Sequence, residues 1–582
     1  MPSTFFGLNI GTTGLYTYQA ALNTTAHNVA NSETLGYSRQ VINQQAGVAL
    51  KVNGRYGMVG TGVDVTSIKQ VRNEYYDIKY RKNNTVYGNY NTKNYYMKEV
   101  ENYFNEINME GFTTSFNKFF DSLQELSKDP SSLTVRTQVT NYASSLTEYF
   151  NSLSNSMKGI QEECNFEVKN HVDRINSLSK QIATITKQIN NLETGGGTAN
   201  DLRDARALLV DELSHIANIS VTENVVGNNV GVTSYVVKLN GQTLVDNYDY
   251  NTLKTVPRTE KLNQNDIDGL YDITWENGQR FDPLHVSLTG SLKALFEVRD
   301  GNNLENLKGQ ANGTAGTNTV TLTNPSITNV ERINIPSKGV IVIGNQELNY
   351  TSFVYDETTK QYTFTLENNL VNDITDTSAR IGEPINYKGI PYYMGQMNEF
   401  VRTFAKAFND IHTTGKDLND EEGMDFFNGK NPVDGSNFDF KNGTPYYNLT
   451  AGNFTISDEI SKNPNKLAIA KSIIDGVEDK TILNSLIALK SDGSMFKQGA
   501  PASFLQTLVA EIGIDADKAA TFSESQKDIL YMIQNQRLSE SGVDVDEEAM
   551  SLVKFQNAYN LSAKVIQIMN EIYNKLINDT GV

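Results

Sequence analysis

The side chains in this sequence best suited to metal binding or nucleophilic catalysis are its histidines and its single cysteine. They are His27, His171, His215, His285, His412 and Cys164. No two histidines lie four residues apart, so no helix offers an adjacent pair of imidazoles to a metal ion. One cysteine is too few for an intramolecular disulfide framework or a thiolate zinc site. We therefore predict no bound metal and no cofactor.

Three short segments look like binding or catalytic motifs, but each lacks a required neighbour. The triple glycine 195–197 has no preceding strand and no lysine close behind it, as a phosphate-binding loop would need. The acidic segment 417–423 does not have EF-hand spacing. The acids 547–548 are typical of a first helical turn, where the helix dipole favours them. The sequence also lacks P-loop, dinucleotide-binding, zinc-protease and serine-hydrolase motifs, and we predict that the protein is not an enzyme.

The composition limits the class of protein and its partners. Of the 582 residues, 50 are Lys or Arg and 68 are Asp or Glu, for a formal net charge of −18. Nucleic acids and anionic membranes are bound through clustered cations, so we expect neither as a partner. No apolar run approaches the roughly 18 residues of a membrane-spanning helix. Residues 1–6 lack the basic and apolar regions of a cleaved secretory signal.

Both ends of the chain are close to neutral. Residues 1–50 contain one base and one acid, and residues 549–582 contain three lysines and two acids. The acidic excess therefore lies in the middle of the chain. Terminal segments are usually polar and frayed, so ends with few charges and many apolar residues suggest segments that become buried.

Apolar residues in both ends recur at spacings of three and four, which is the periodicity of one helix face. In the first 30 residues the stripe is formed by Leu8, Gly11, Leu15, Tyr18, Leu22, Thr25 and Val29. Near the C-terminus it is formed by Leu552, Phe555, Tyr559, Ser562, Ile566, Met569, Tyr573 and Leu576. A helix of about 30 residues spans about 45 Å. We predict that the two terminal helices pair as a coiled coil.

The middle of the chain alternates between helical and β-rich patterns. A heptad run over 168–192, the glycine break and a second helix capped by Asn200 predict a helical hairpin within a bundle. Strand-like runs at 235–239 and 242–245 flank Asn240-Gly241, a strong hairpin signal. Residues 301–389 form a second β-rich block, after which helical spacing returns. This order predicts β domains inserted into a loop of a helical domain.

The predicted fold class is α+β and multidomain, with the units assembled from separate parts of the chain. Residues 1–60 with 541–582 would form a terminal coiled-coil domain. A helical bundle would comprise 61–216, 286–300, 390–415 and 500–540. The β-rich units would be 217–285 and the insertion 301–389, and the mixed segment 416–499 is not assigned.

Two segments at opposite ends of the chain resemble the signatures of the flagellar rod, hook and hook-associated protein family. Residues 26–31 and 34–40, A-H-N-V-A-N and T-L-G-Y-S-R-Q, are similar to the N-terminal signature, although Leu35 stands where the family commonly has proline. Residues 541–559 are similar to the C-terminal signature, S-G-V-x-x-D-E-E followed by K-F-Q-x-A-Y. The 200–214 run further resembles members at the junction between hook and filament.

This resemblance implies a structural protein that joins hook to filament and assembles by packing its terminal helices into an inner tube. The implied partners are the hook protein, a second junction protein, copies of the chain in a helical or ring array, and an export chaperone at the C-terminal helices. It also implies an extracellular location, reached through the flagellar type III pathway without a cleaved signal. The residues expected at contacts between subunits are Leu8, Leu15, Tyr18, Leu22, Asn28, Val29, Asn31, Gly36, Tyr37, Leu552, Phe555, Tyr559, Ile566, Met569, Tyr573 and Leu576.

Two alternatives remain open from the sequence. The first is another flagellar axial protein, either the hook protein or the second junction protein. The second is a secreted adhesin or glycan-binding protein that acts through the central β domains. Its binding face would contain Tyr350, Phe353, Tyr355, Tyr362 and Phe364, although strand spacing favours a small β core made of the same residues.

Overall fold

The computed structural model describes residues 6–51, 57–104, 111–226, 233–432, 434–441, 443–472 and 479–579. The fold is α+β, and the predicted pairing of the terminal helices is confirmed: α1 packs along α11, and α2 packs along α10. The α-helices of the described chain are α1 (Phe6–Ala30), α2 (Glu74–Phe104), α3 (Phe112–Leu126), α4 (Leu133–Glu193), α5 (Asn200–Ile216), α6 (Ser291–Asp300), α7 (Ile390–His412), α8 (Asp458–Lys462), α9 (Thr481–Ala488), α10 (Pro501–Ser541) and α11 (Val545–Asn578).

The longest helix, α4, has 61 residues and is therefore about 90 Å long. The predicted heptad run forms only its second half. The first half begins at Ser132, whose side chain accepts a hydrogen bond from the Val135 N–H. The predicted hairpin with α5 is present, but Asn200 is the first residue of α5 and not its cap. Its amide donates instead to Gln40 and to the Ile68 carbonyl.

Phenylalanines form the centre of the helical domain, where α3, α4 and α7 meet. Phe150 and Phe400 stack with ring centroids 5.3 Å apart, and Phe119 lies 5.7 Å from Phe408. The segment 416–499 joins this core, since Phe427 and Phe454 belong to the same cluster. These two residues come from the short antiparallel pair β18 (Phe427–Gly429) and β19 (Phe454–Ile456).

The first β-rich region consists of two small antiparallel sheets packed against α4. One has the order β5 (Ile219–Val225), β6 (Thr233–Leu239), β7 (Gln242–Asp246), β8 (Asp249–Tyr250), and the other has the order β11 (Arg280–Phe281), β10 (Tyr271–Trp275), β9 (Leu253–Pro257). The predicted hairpin turn is confirmed, because Asn240 and Gly241 connect β6 to β7 with φ angles of 48° and 80°. The turn needs two positive φ angles, which asparagine and glycine tolerate best.

The insertion 301–389 contains a closed six-stranded barrel. Its strands are β12 (Leu307–Gly313), β13 (Thr319–Thr323), β14 (Gly339–Ile343), β15 (Gln346–Asp356), β16 (Gln361–Leu366) and β17 (Ile374–Ile381), in the order β12-β13-β16-β15-β14-β17. Tyr350, Tyr362 and Phe364 are buried in the barrel core, and Phe353 and Tyr355 pack against it. The core interpretation of these aromatics is therefore confirmed. They do not form an open binding face.

A buried arginine holds the barrel against the helical core. Arg402 of α7 is fully buried, and burial lowers the pKa of its guanidinium to about 10. It donates hydrogen bonds to the carbonyl oxygens of Glu331, Ile333, Tyr447 and Leu449 and to the amide oxygen of Gln264. Glu331 and Ile333 lie in the insertion, whereas Tyr447 and Leu449 lie in the 416–499 segment. Gln264 lies in the first β-rich region, so this one side chain of α7 connects to three other parts of the chain.

A buried histidine makes stability depend on pH. His412 at the end of α7 is completely buried, and its Nε2 accepts from the Ala468 N–H at 2.9 Å while Nδ1 lies 2.6 Å from the Met424 carbonyl oxygen. Both ring nitrogens of the neutral imidazole thus have a hydrogen-bond partner. A second proton on Nε2 would point at the Ala468 N–H and replace the hydrogen bond with repulsion. Burial lowers the pKa of His412 from 6.5 to about 4.

Because the unfolded histidine titrates near 6.5 and the folded one near 4, only the unfolded state takes up this proton between those values. We expect the contribution of neutral His412 to the free energy of unfolding to be complete above pH 6.5 and to fall as the pH is lowered. About 3 kcal/mol of it should be lost by pH 4. Denaturant unfolding as a function of pH measures it, with His412→Gln as the comparison. Equal pH slopes for the two proteins between pH 6.5 and 4 would contradict the assignment.

Candidate functional site

The terminal helices approach each other closely because α1 presents glycines to α11. A Cβ atom on Gly11 would lie 2.8 Å from Ile566 Cγ1, and one on Gly14 would lie 2.9 Å from Ser562 Oγ. Gly7 faces Met569 in the same way. Glycine within a helix costs about 0.5–1 kcal/mol relative to alanine, and here it permits contact between two helices that a larger residue would separate.

The two predicted stripes are only partly covered by this pairing. Leu8, Leu15, Tyr18 and Leu22 of α1, and most of the α11 stripe from Leu552 to Tyr573, are half-buried. Val29 and Leu576 at the helix ends are exposed. Among the described residues of α11, only Glu548 is fully buried. The helix pair therefore leaves much of its apolar surface in contact with solvent.

A second apolar stripe runs along α11, about a third of a turn away from the first. It is formed by Leu561, Val565, Ile568 and Ile572, which are 68%, 39%, 44% and 45% exposed, and we call it the outer stripe. Its spacings of four, three and four place these side chains on one helix face. A contiguous exposed apolar stripe of this kind marks a protein–protein contact surface.

The residues of the N-terminal signature make contacts within the chain. The Asn28 amide accepts hydrogen bonds from the Gln40 N–H and the Tyr37 hydroxyl, and donates to the Gln40 carbonyl. Ser38 donates its N–H and its hydroxyl to the Asp204 carboxylate at 2.8 and 2.7 Å. These bonds fasten the segment after α1 to α5. Gly36 has a φ of 81°, which accounts for glycine at this position of the turn.

Arg39 connects the N-terminal signature to the C-terminal one. Its N–H donates to the Ser541 carbonyl at 2.8 Å. Its guanidinium Nε lies 2.7 Å from Glu548, and Nη1 lies 3.0 Å from Glu547. Glu548 has a side chain that is only 3% exposed. Arg39 and Glu548 are 509 residues apart in the sequence, and their two motifs therefore form one structural unit at the base of the terminal helices.

An ionic network lies beside this unit and joins α2, α5 and α10. Arg72 pairs with Asp77 at 2.6 Å and with Asp204 at 3.0 Å. Arg537 pairs with Asp77 at 2.8 Å and with Asp211 at 2.6 Å. Burial tends to raise the pKa of Asp77, but the Arg72 hydrogen bond and the neighbouring arginine charges lower it below its ordinary value. The carboxylate therefore stays ionised within its ring of arginines.

The structure places the sequence-predicted site residues in two groups. The apolar members lie on α1 and α11. Asn28 lies in the last turn of α1, whereas Asn31, Gly36 and Tyr37 lie in the segment that leads to β1 (Gln40–Ala46). That strand pairs with β4 (Val63–Gln70), and the connection between them contains β2 (Leu50–Lys51) and β3 (Met58–Val59). Asn28 is almost fully buried, and the Asn31 amide donates to the His27 carbonyl. A contact between subunits at these four positions stays a prediction.

Sequence reasoning missed the acidic partners of this site. Asp204 and Asp211 lie within the 200–214 run, but nothing in the sequence marks either of them, or Asp77, as an ion-pair partner. Asp204 is 132 residues from Arg72 and Asp211 is 326 residues from Arg537, whereas Asp77 is only five residues from Arg72. No periodicity or spacing relates such residues, because their proximity depends on how three helices pack.

The described residues contain no group of three or more histidine, cysteine, aspartate or glutamate side chains arranged to hold a metal ion. In the segment once considered for calcium, Asp417 Oδ1 accepts the backbone N–H groups of Asn419 and Glu421 at 2.8 and 2.9 Å. Among all the residues that the structure describes, no helix has the length and apolar character needed to cross a membrane.

Comparison with known proteins gives matches to this fold and these termini. The family model described as "Flagellar hook-associated protein FlgK helical domain" matches residues 97–322. The model described as "Flagellar basal body rod FlgEFG protein C-terminal" matches residues 534–579. Flagellar hook-associated protein 1 of Bacillus subtilis (strain 168) is 28% identical, over 100% of this chain and 99% of its own. The chain is thus similar along its whole length to the flagellar hook-associated protein 1 family.

Other members of the family are similar along their whole length. Flagellar hook-associated protein 1 of Escherichia coli (strain K12) is 26% identical, over 98% of this chain and 99% of its own. The solved structure titled "The structure of the flagellar hook junction protein FlgK from Burkholderia pseudomallei" has a TM-score of 0.47 and 14% identity, over 80% of this chain and 100% of that one. These matches identify the chain as a structural component of the flagellum and not an enzyme.

Proposed function

We propose that the protein is a junction adaptor that joins the flagellar hook to the filament. The observation that carries this proposal is the outer stripe of α11, whose apolar side chains are exposed although the helix is already paired with α1. Exposed apolar surface of this kind is typical of a site where another protein binds. The adaptor role itself is suggested by the family, in which one solved structure is titled a hook junction protein.

The first occupant of the outer stripe would be another copy of the chain. A heterologous contact repeated by rotation and translation builds a ring or helical array. The sequence of α1 supports this, since it contains no Asp, Glu, Lys or Arg and can be buried on several sides without stranding a charge. We propose that residues 1–60 and 541–582 form the inner tube of this array, and that the apolar residues predicted from the sequence make its contacts.

The remaining units would lie outside the inner tube. The helical bundle would surround it, and residues 217–285 and the barrel in 301–389 would project outward with the acidic surface. The proposed neighbours along the axis are the hook protein on one side and the second junction protein on the other. An export chaperone bound to the C-terminal helices would cover the outer stripe before assembly, and export would use the flagellar type III pathway.

Deletion of the gene tests the proposed role. We expect cells that retain hooks but carry no filaments and release flagellin into the medium, because filament subunits would have no base on which to polymerise. Electron microscopy of the cells and immunoblots of the medium measure these outcomes. A plasmid copy of the gene is the control and should restore filaments. Normal filaments in the deletion strain would refute the proposal, and loss of the hooks would favour a hook protein instead.

A further inference from the structure

A cleft of about 550 Å³ lies between the two small sheets of the first β-rich region. Its walls come from the start of β5, the β6–β7 turn, the end of β10, and β11 with the loop that follows it. Its volume is within the range of pockets that enclose small organic ligands. None of its lining residues belongs to α1 or α11, so the cleft is separate from the proposed assembly surface.

One wall of the cleft contains a buried hydrogen-bond donor without an acceptor. Trp275, the only tryptophan of the chain, is 4% exposed and lies edge-on to Phe281 with ring centroids 6.0 Å apart. Its indole Nε1–H has no hydrogen-bond partner among the described residues. A buried N–H without an acceptor is unfavourable, so an oxygen atom supplied by a ligand would stabilise this site.

Two unpaired cations border the same cleft. Lys238 in β6 and Arg280 in β11 are exposed, and neither side chain has an ion pair or a hydrogen bond within the part of the chain that the structure describes. Asp282 is the one carboxylate in the lining, and its Oδ1 accepts the Leu284 N–H at 3.0 Å. The two cations outnumber this carboxylate, so the lining favours an anionic ligand.

Uncharged polar groups also line the cleft. The side chains of Ser220 and Gln242 border the cleft and likewise have no hydrogen-bond partner among the described residues. The opposite loop is held in place, because Asn218 donates to the Ser287 carbonyl at 2.8 Å and the Ser287 hydroxyl donates to Asn240 at 2.6 Å. The free groups therefore stand on a preformed frame, which lowers the entropy cost of binding.

We propose that this cleft binds a small acidic saccharide. The carboxylate of the sugar would lie between Lys238 and Arg280, and a ring oxygen or hydroxyl would accept from the Trp275 indole. Further hydroxyl groups would hydrogen-bond to Ser220 and Gln242, which both donate and accept. This site is independent of the junction role and lies in a different part of the chain from the barrel aromatics.

Isothermal titration calorimetry of the full-length protein tests the proposal, with digalacturonate as the probe. We expect binding by the unaltered chain. The double variant Lys238→Ala, Arg280→Ala should weaken it by more than about tenfold, since two charge-assisted contacts are lost. Trp275→Phe, which keeps an aromatic ring but removes the N–H, should weaken it by roughly tenfold. Lys308→Ala on the barrel is the matched control and should change nothing.

Two comparison probes define the ligand class, namely the neutral galactose disaccharide and inorganic phosphate. Selective binding of digalacturonate supports the proposal. Equal affinity for the neutral sugar would overturn the role of the cations. Equal affinity for phosphate would overturn the saccharide assignment, because the cleft would then bind anions in general. Absence of digalacturonate binding at millimolar concentration would also overturn it. The double variant changes only exposed side chains, so it remains informative even if Trp275→Phe fails to fold.

Discussion

Cells that express the chain with Leu561→Glu and Ile568→Glu should keep their hooks but lose their filaments. Both side chains lie in the outer stripe and are 68% and 44% exposed, so the changes should leave the free protein folded. In an assembled array each apolar side chain would contribute about 1.5–3 kcal/mol through burial. Losing two of them lowers the affinity of the contact between subunits by roughly 10²- to 10⁴-fold. Each introduced carboxylate would also have to be desolvated on burial, which is unfavourable.

Three measurements check this expectation: filaments per cell by electron microscopy, flagellin in the medium by immunoblot, and the melting temperature of the purified variant. The melting temperature should equal that of the unaltered chain. Val354→Glu is the matched control, because Val354 is equally exposed but lies on the barrel. It should leave filaments unchanged. Normal filaments in the double variant would mean that the outer stripe is not covered in the flagellum.

The second large effect is expected at the contact between the two signatures. Arg39→Glu should destabilise the protein by about 3–5 kcal/mol, because it leaves the buried Glu548 carboxylate without its partner and adds a further negative charge. Adding Glu548→Arg should recover most of the loss, since the reversed pair restores one positive and one negative charge at the same distance. Denaturant unfolding of the three proteins measures both steps.

The control for this charge reversal is an exposed pair of similar geometry. Arg174 and Glu212 lie 2.5 Å apart, but their side chains are 47% and 42% exposed. Arg174→Glu should therefore cost no more than about 1 kcal/mol. If Arg39→Glu behaves like Arg174→Glu, or if Glu548→Arg gives no recovery, the two signatures do not form one unit in solution.

Patterns that are local in the sequence predicted the elements correctly. The spacing of three and four specified α1 and α11, and Asn240-Gly241 specified the turn between β6 and β7, because each pattern fixes a periodicity or a backbone angle within a few residues. The aromatic alternation in the insertion likewise predicted a β core. The same reasoning underestimated α4, since polar residues in its first half weaken the periodic signal although the helix continues.

The candidate site could be predicted only in part. The apolar stripes were visible in the sequence, and so were the two signatures, but nothing in the sequence showed that Arg39 reaches Glu548. The cleft beside Trp275 was equally invisible, because its walls come from five separate strands and a loop. Such sites arise from long-range packing, which has no periodicity.

The sequence by itself determined the helical and β elements, the low charge of the ends, the acidic middle and the family resemblance, because these depend on residue type and short spacing. Only the tertiary structure decided how these elements are used. It placed Arg39 between the two signatures, directed Arg402 to carbonyl groups from three segments, and left Leu561 and Ile568 uncovered. Each outcome depends on which surfaces meet after folding, and that is set by the packing of the whole chain.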